Sequence, residues 1–277
     1  METWKELNSE AQKLLRNNDL SHAKSCIEKA LQLAPTEPKI LNTAISIYSK
    51  SNDHETVLKY ANNLIETQNN QYKGFLFAGK SLTALERYEE AEEVINLGLK
   101  KIPNQINLIS LLATLYRRCG KAEKSIEYSK KVIEISPENI GNYGQVARDL
   151  CLLKRFEEAQ KQINDGLSKF PNNRYLLTIA SDIYRTSGHY KEALQFSEQL
   201  AEKHPEHLKS YTRVAQNLIS LELHEQAKEK ISKGLAKFPE HPELIKINKL
   251  IERLIMVKKK SLAARQKASN KNIFQRI

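Results

Sequence analysis

The chain has 277 residues, with 44 Lys+Arg against 33 Asp+Glu and a formal net charge of +11. Few glycines and prolines and sparse aromatics suit many short helices packed through small aliphatic contacts rather than one thick core. Three cysteines with no CxxC pair argue against a disulfide framework, no stretch approaches the roughly 20 apolar residues of a membrane span, and residues 1–6 lack a signal-peptide pattern, so the chain is expected to be cytoplasmic.

From Trp4 onward the prolines set a frame. Pro35, Pro103, Pro137, Pro171, Pro205 and Pro239 recur at intervals of 34 or 68 residues, and Asn69 stands at the skipped position. Residues 4–241 thereby divide into seven units starting at 4, 38, 72, 106, 140, 174 and 208. The fourth column is Leu7, Leu41, Phe75, Ile109, Tyr143, Leu177 and Tyr211; the eighth is mostly small, with Ala11, Ile45, Gly79, Ala113, Ala147, Ser181 and Ala215. The twentieth column is Ala23, Val57, Ala91, Ser125, Ala159, Ala193 and Ala227. Positions 4, 8 and 11 share one face of a first helix, and positions 20, 24 and 27 one face of a second. Small residues let the two helices approach, and the proline stops the second before the next unit begins.

A longer period overlies this one. Gly98-Leu99, Gly166-Leu167 and Gly234-Leu235 mark alternate units, whereas Tyr60, Tyr128 and Phe196 mark the others. This pattern suggests duplication of a pair of units, with glycine allowing close packing against a neighbouring ring.

Residues 242–257 begin an eighth unit in frame, but Lys249 and Glu252 replace the small and apolar residues of positions 8 and 11. Leu244, Ile247, Ile251 and Leu254 then form one apolar stripe, as expected of a capping helix on the last repeat. Residues 258–277 carry Lys258, Lys259, Lys260, Arg265, Lys267, Lys271 and Arg276 and no acid, ending in Ile273, Phe274 and Ile277. Such a basic tail reads as a solvated continuation of the cap, an anchor for anionic lipid or nucleic acid, or a linker.

The columns and the proline spacing together resemble the tetratricopeptide repeat family over residues 4–241. The resemblance implies an all-α, right-handed superhelical solenoid of seven helix pairs plus a C-terminal capping helix, occupying residues 1–257 ahead of the basic tail at 258–277. Two departures are Asn69 for proline and the sparse use of glycine between paired helices, at Gly120 and Gly188 only.

In that family the first helices line a concave groove where partner peptides lie. Opposite the 4/8/11 stripe are positions 2, 5, 6, 9, 12 and 13. Twelve residues there are basic: Lys5, Arg16, Lys39, Lys50, Lys73, Lys80, Arg117, Arg118, Arg148, Arg185, Lys209 and Arg213, against one acid, Asp182. Charge segregated by face gives a basic strip that steers anionic partners. Gly141 and Gly144 fall in the strip and are expected either to open a depression beside Arg117, Arg118, Arg148 and Arg185 or, at Gly141, to mark a frayed helix start.

Family members that grip a chaperone's terminal carboxylate use Lys and Asn at set positions, where this chain offers Asn8, Gln12, Thr43, Lys73 and Phe77; that clamp is not expected. His204 and His207 flank Pro205 and read as a junction turn rather than a metal pair. No phosphate loop, nucleophile elbow or cofactor motif is present in the sequence. The expectation is a non-catalytic scaffold without metal or cofactor whose groove holds an acidic protein segment. The alternative is an accessory domain of a bacterial polysaccharide-building or membrane-associated enzyme system, peripheral to the membrane and contacting anionic glycan or lipid. Nucleic acid fits less well, because the strip has few aromatics to stack bases.

Overall fold

The structure, a computed structural model, describes residues 2–68 and 71–274, with side chains as far as Gln266. Asn69 and Ile277 lie outside the described residues, as do the side chains of Lys267, Ile273 and Phe274. The described residues form α-helices and no strand. In pairs these are α1 (Trp4–Arg16) and α2 (Leu20–Leu33), α3 (Pro38–Lys50) and α4 (His54–Thr67), α5 (Tyr72–Ala84) and α6 (Tyr88–Lys101), α7 (Ile106–Arg118) and α8 (Ala122–Ile135). There follow α9 (Ile140–Leu152) and α10 (Phe156–Lys169), α11 (Arg174–Thr186) and α12 (Tyr190–Lys203), α13 (Leu208–Ser220) and α14 (His224–Lys237), then a single α15 (Pro242–Phe274). Every first helix starts on the first residue of a 34-residue unit, and every second helix whose unit ends in proline stops short of it.

The turn inside each pair is the same despite its mixed sequence. Asn18, Asn52, Glu86, Gly120, Lys154, Gly188 and Glu222, all at position 15, adopt positive φ between 56° and 83°. In each, the next N–H bonds back to the carbonyl of position 11, as in Asp53 N to Tyr48 O at 3.0 Å and Lys121 N to Tyr116 O at 2.8 Å. This 6→1 bond satisfies a carbonyl that the helix end would otherwise leave unpaired. Sparse glycine therefore does not disorder the turns.

The chain divides into two compact units, residues 1–142 and 143–277. In the first, Ala11, Ala23, Ile45, Ala91 and Phe75 are fully buried in a core running from Leu7 to Tyr116. In the second, Ala215, Ala227 and Ile231 are buried beneath Leu244 and Ile251 of α15. The alternating glycines have a direct packing role. A Cβ on Gly98 would lie 2.8 Å from Phe75, on Gly166 2.9 Å from Tyr143, and on Gly234 3.0 Å from Tyr211. The ring belongs to the first helix of the same unit, so glycine and aromatic fill one space jointly. The intervening units pair their rings instead: Tyr48 with Tyr60 at 5.8 Å, Tyr116 with Tyr128 at 5.3 Å and Tyr184 with Phe196 at 5.1 Å.

α15 buries Leu244, Ile247, Ile251 and Ile255 against α13 and α14, whereas Leu254 is only half-buried. The buried stripe steps by three or four residues, and from Ile251 the step of four to Ile255 follows the axis more closely than the step of three. The helix continues without a break past residue 258, so its basic segment prolongs the same helix.

Candidate functional site

Burial narrows the surface that first helices present. Positions 5 and 6 face the adjacent first helix: Thr43, Leu111, Gly144, Thr178, Ile179 and Thr212 are all buried. In the second unit a Cβ on Gly144 would sit 2.5 Å from both Ile179 and Tyr175. The depression expected at Gly144 is therefore filled, because the Tyr175 ring and Ile179 occupy the space a side chain would take. Gly141 is exposed, with only the Asn139 side chain near it. What remains accessible is a narrower strip, mainly positions 2, 9 and 13.

In the first unit Lys39, Lys73, Lys80, Arg117 and Arg118 are all exposed on this strip. Between α5 and α7 it deepens into a cleft of about 370 Å³ whose rim carries Lys80 and Arg118, with Asn107, Ser110 and Thr114 on one wall and Thr83 on the other. Thr83 donates its hydroxyl to Gly79 O at 2.6 Å and Thr114 to Ser110 O at 3.0 Å. Both hydroxyl protons are thus engaged by the helices, leaving the two cations, the Ser110 hydroxyl and the Asn107 amide as donors toward a ligand. No acid lines this cleft. Sequence reasoning included these polar positions in the face without singling them out; their signal was the repeat frame itself.

The second unit uses its cations differently. Arg213 holds Asp182 in a two-bond fork, Nε to Oδ1 at 3.1 Å and Nη2 to Oδ2 at 2.7 Å, and Arg185 approaches Asp182 at 3.9 Å. Arg213 is half-buried and its charge is largely answered, as is usual for bidentate Arg–carboxylate geometry. The sole acid of the strip therefore neutralises part of it. Arg148 lies over Tyr175 at 5.4 Å from the ring centroid, while Lys209 is exposed. Burial, reinforced by Arg174, Lys209 and Arg213, holds the His207 imidazole below its ordinary range. Burial, with Asp182 adding, pushes the Cys151 thiol up, away from thiolate reactivity. His204 Nε2 pairs with Asn172 O at 2.9 Å, joining successive unit junctions.

Comparison with known proteins bears on this geometry. The tetratricopeptide repeat family model matches residues 107–139, in register with the fourth 34-residue unit. Human interferon-induced protein with tetratricopeptide repeats 2 is 30% identical over 129 residues, covering 44% of this chain and 27% of that protein. Hsp70-Hsp90 organizing protein 3 of Arabidopsis thaliana is 24% identical over 135 residues, 46% of this chain and 23% of its own length. The chain thus spans only about a quarter of these curated relatives. Among solved structures, the C-terminal part of a repeat protein from Cytophaga hutchinsonii aligns with a TM-score of 0.68 at 14% identity, covering 87% of this chain and 98% of that one. A tetratricopeptide repeat protein from Parabacteroides merdae aligns at 0.63 with 15% identity, covering 90% and 98%. At such identities the likeness concerns the fold. No helix among the described residues is long and apolar enough to cross a membrane. Residues 107–139 thus match a tetratricopeptide repeat, and the described residues share the all-α solenoid fold of the tetratricopeptide repeat structures.

Proposed function

We propose that this chain is a non-catalytic interaction scaffold whose basic first-helix strip holds an acidic segment of a partner protein. The carrying observation is the charge of the accessible strip: exposed Lys39, Lys73, Lys80, Arg117, Arg118, Arg148 and Lys209, against one acid already engaged by Arg213 and Arg185. The cleft between α5 and α7 is the focal point, because two cations and an amide donor converge there with no competing carboxylate. Two relatives support a partner-holding role through their descriptions: the Hsp70-Hsp90 organizing protein, and a solved tetratricopeptide structure described as having an unusual peptide-binding site.

A charge-reversal comparison tests this. Lys73→Glu, Lys80→Glu and Arg118→Glu together should abolish binding of a fluorescent oligoglutamate peptide in an anisotropy titration. The melting temperature should change little, because exposed charges contribute about 0–1 kcal/mol. The control reverses Lys29, Lys130 and Lys161, exposed on second helices. Lys124 and Lys228 would be poorer controls, since each lies 3.8 Å from a carboxylate, of Glu92 and Glu252. Equal loss in both triple variants would show that only overall charge matters and would remove the strip from consideration.

A further inference from the structure

The basic residues near the C-terminus do not act as one cluster. Lys258 Nζ donates to Glu222 O at 3.2 Å and Lys259 lies 3.8 Å from Glu225, so both reach back to the turn before α14 and the start of that helix. Lys260 is exposed. One helical heptad earlier stands Arg253, and one before that Lys246, both exposed. Residues seven apart on an α-helix lie about 20° from alignment, so Lys246, Arg253 and Lys260 form one row. That row spans 14 residues, about 21 Å of axis at the rise of an α-helix. It lies on the side of α15 opposite Leu244, Ile251 and Ile255, which are buried against α13 and α14.

The row is flanked by apolar residues on both sides. Lys249 and Met256 run along one edge, Leu250 and Val257 along the other, and the apolar members are 60%, 47% and 65% exposed for Met256, Leu250 and Val257. None of Lys246, Lys249, Arg253 and Lys260 has a carboxylate within 4.0 Å among the described residues. Elsewhere in this unit lysines at comparable exposure do pair, as Lys233 does with Glu229 at 2.6 Å. The outward arc of α15 is therefore cationic, partly apolar and unanswered.

We infer that α15 lies flat on an anionic lipid surface, with Lys246, Arg253 and Lys260 on phosphates and Leu250, Met256 and Val257 entering the acyl boundary. The charge of the arc calls for an anionic partner, and the interleaving of cations with apolar residues selects a bilayer. A partner helix would need a continuous apolar seam, whereas here Leu250 and Val257 are followed by Ser261 and Ala264. An interfacial helix instead tolerates isolated apolar side chains, because long cationic stems extend to the headgroups beside them. The strip on the first helices is a separate surface, and this inference does not depend on it.

Vesicle flotation with the full chain separates the outward row from net charge. The probes are vesicles of pure phosphatidylcholine and of phosphatidylcholine mixed with phosphatidylserine. The wild-type chain should float only with the mixed vesicles and should be released by salt. Arg253→Gln with Lys260→Gln removes two outward charges and should weaken binding by about thirtyfold, each charge near such a surface being worth about fivefold. Lys258→Gln with Lys259→Gln removes two inward charges and should change binding by less than about threefold. Met256→Ser with Val257→Ser should weaken binding without altering its salt dependence. Circular dichroism of each variant checks that the helix persists. The inference is overturned if the inward and outward pairs lose binding equally, which would leave only bulk charge. It is also overturned if the chain floats with neither vesicle at low salt, or if the outward pair loses oligoglutamate peptide while vesicle binding never appears, which would assign the arc to an acidic protein. The Lys80 and Arg118 reversals should leave flotation intact, so failure of the peptide site and failure of the lipid site are read independently.

Discussion

His207 reports the potential of the strip in the second unit. Its imidazole is half-buried at the start of α13, and burial first, then Arg174, Lys209 and Arg213, disfavour its protonated form. A histidine lowered in the folded state takes up its proton earlier in the unfolded chain. Its stability contribution is therefore intact above the ordinary histidine value and declines as pH falls from there through the depressed folded value. Lys209→Glu removes one of the three cations and adds an anion, so it should raise the His207 value, as followed by the ring proton shifts in an NMR titration. The pH dependence of stability below neutrality should flatten accordingly. An unchanged titration would mean that burial alone governs His207 and that the local field is weak. Asp182 works in the opposite sense. By accepting from Arg213 and approaching Arg185, it fixes two side chains that would otherwise extend into solvent.

At the scale of the element, the turn within each helix pair shows how one backbone shape tolerates unlike residues. Glycine at Gly120 and Gly188 adopts the left-handed region freely, whereas Glu86, Lys154 and Glu222 hold it with a Cβ present. The left-handed conformation costs an L-residue about 1–2 kcal/mol, partly offset because glycine has more freedom to lose. Lys154→Gly should therefore raise stability by roughly 0.5–1 kcal/mol and Gly120→Ala should lower it by about 1 kcal/mol. Urea titrations of the two variants would show midpoint shifts of opposite sign. Shifts of the same sign would mean that the side chains of Lys154 and its counterparts stabilise the turn in a way the backbone does not reveal. The alternation of glycine-with-aromatic units and paired-ring units is a second element-level device. Each unit keeps its interhelical spacing by a different division of volume between its two helices.

For the whole molecule, the net charge of +11 is distributed unevenly, and the asymmetry has a measurable consequence. Lys258 to Ile277 contributes seven bases and no acid, and the second helices carry acidic runs such as Glu89, Glu90, Glu92 and Glu93. The acidic segment proposed as partner would thus be drawn to particular faces, not to the chain at large. Because the participating side chains are exposed, their attraction is screened over about 10 Å at 0.1 M salt and about 3 Å at 1 M. Oligoglutamate affinity should consequently fall steadily across that range while the circular dichroism spectrum stays constant. Affinity insensitive to salt would show that apolar contacts dominate, and the charge argument for the strip would fail.

The sequence by itself determined the repeat, the helix boundaries and the small-residue columns. These depend on local rules: proline cannot continue a helix, and a period near 3.6 places positions 4, 8 and 11 on one face whatever surrounds them. It also located the basic positions, since a residue's place around a helix follows from its number. Only the tertiary structure decided which of those positions meet solvent. Positions 5 and 6 are turned toward the adjacent first helix, so Gly144 is filled by Tyr175 and Ile179 while Gly141 remains open. Arg213 looked like a free cation until packing brought Asp182, 31 residues away, within 2.7 Å of it. Likewise the run Lys258, Lys259, Lys260 reads as one patch in sequence, yet docking of α15 on α14 turns the first two inward toward Glu222 and Glu225. Which side of a helix is covered depends on neighbours brought in from elsewhere in the chain, and no local pattern of residues specifies that.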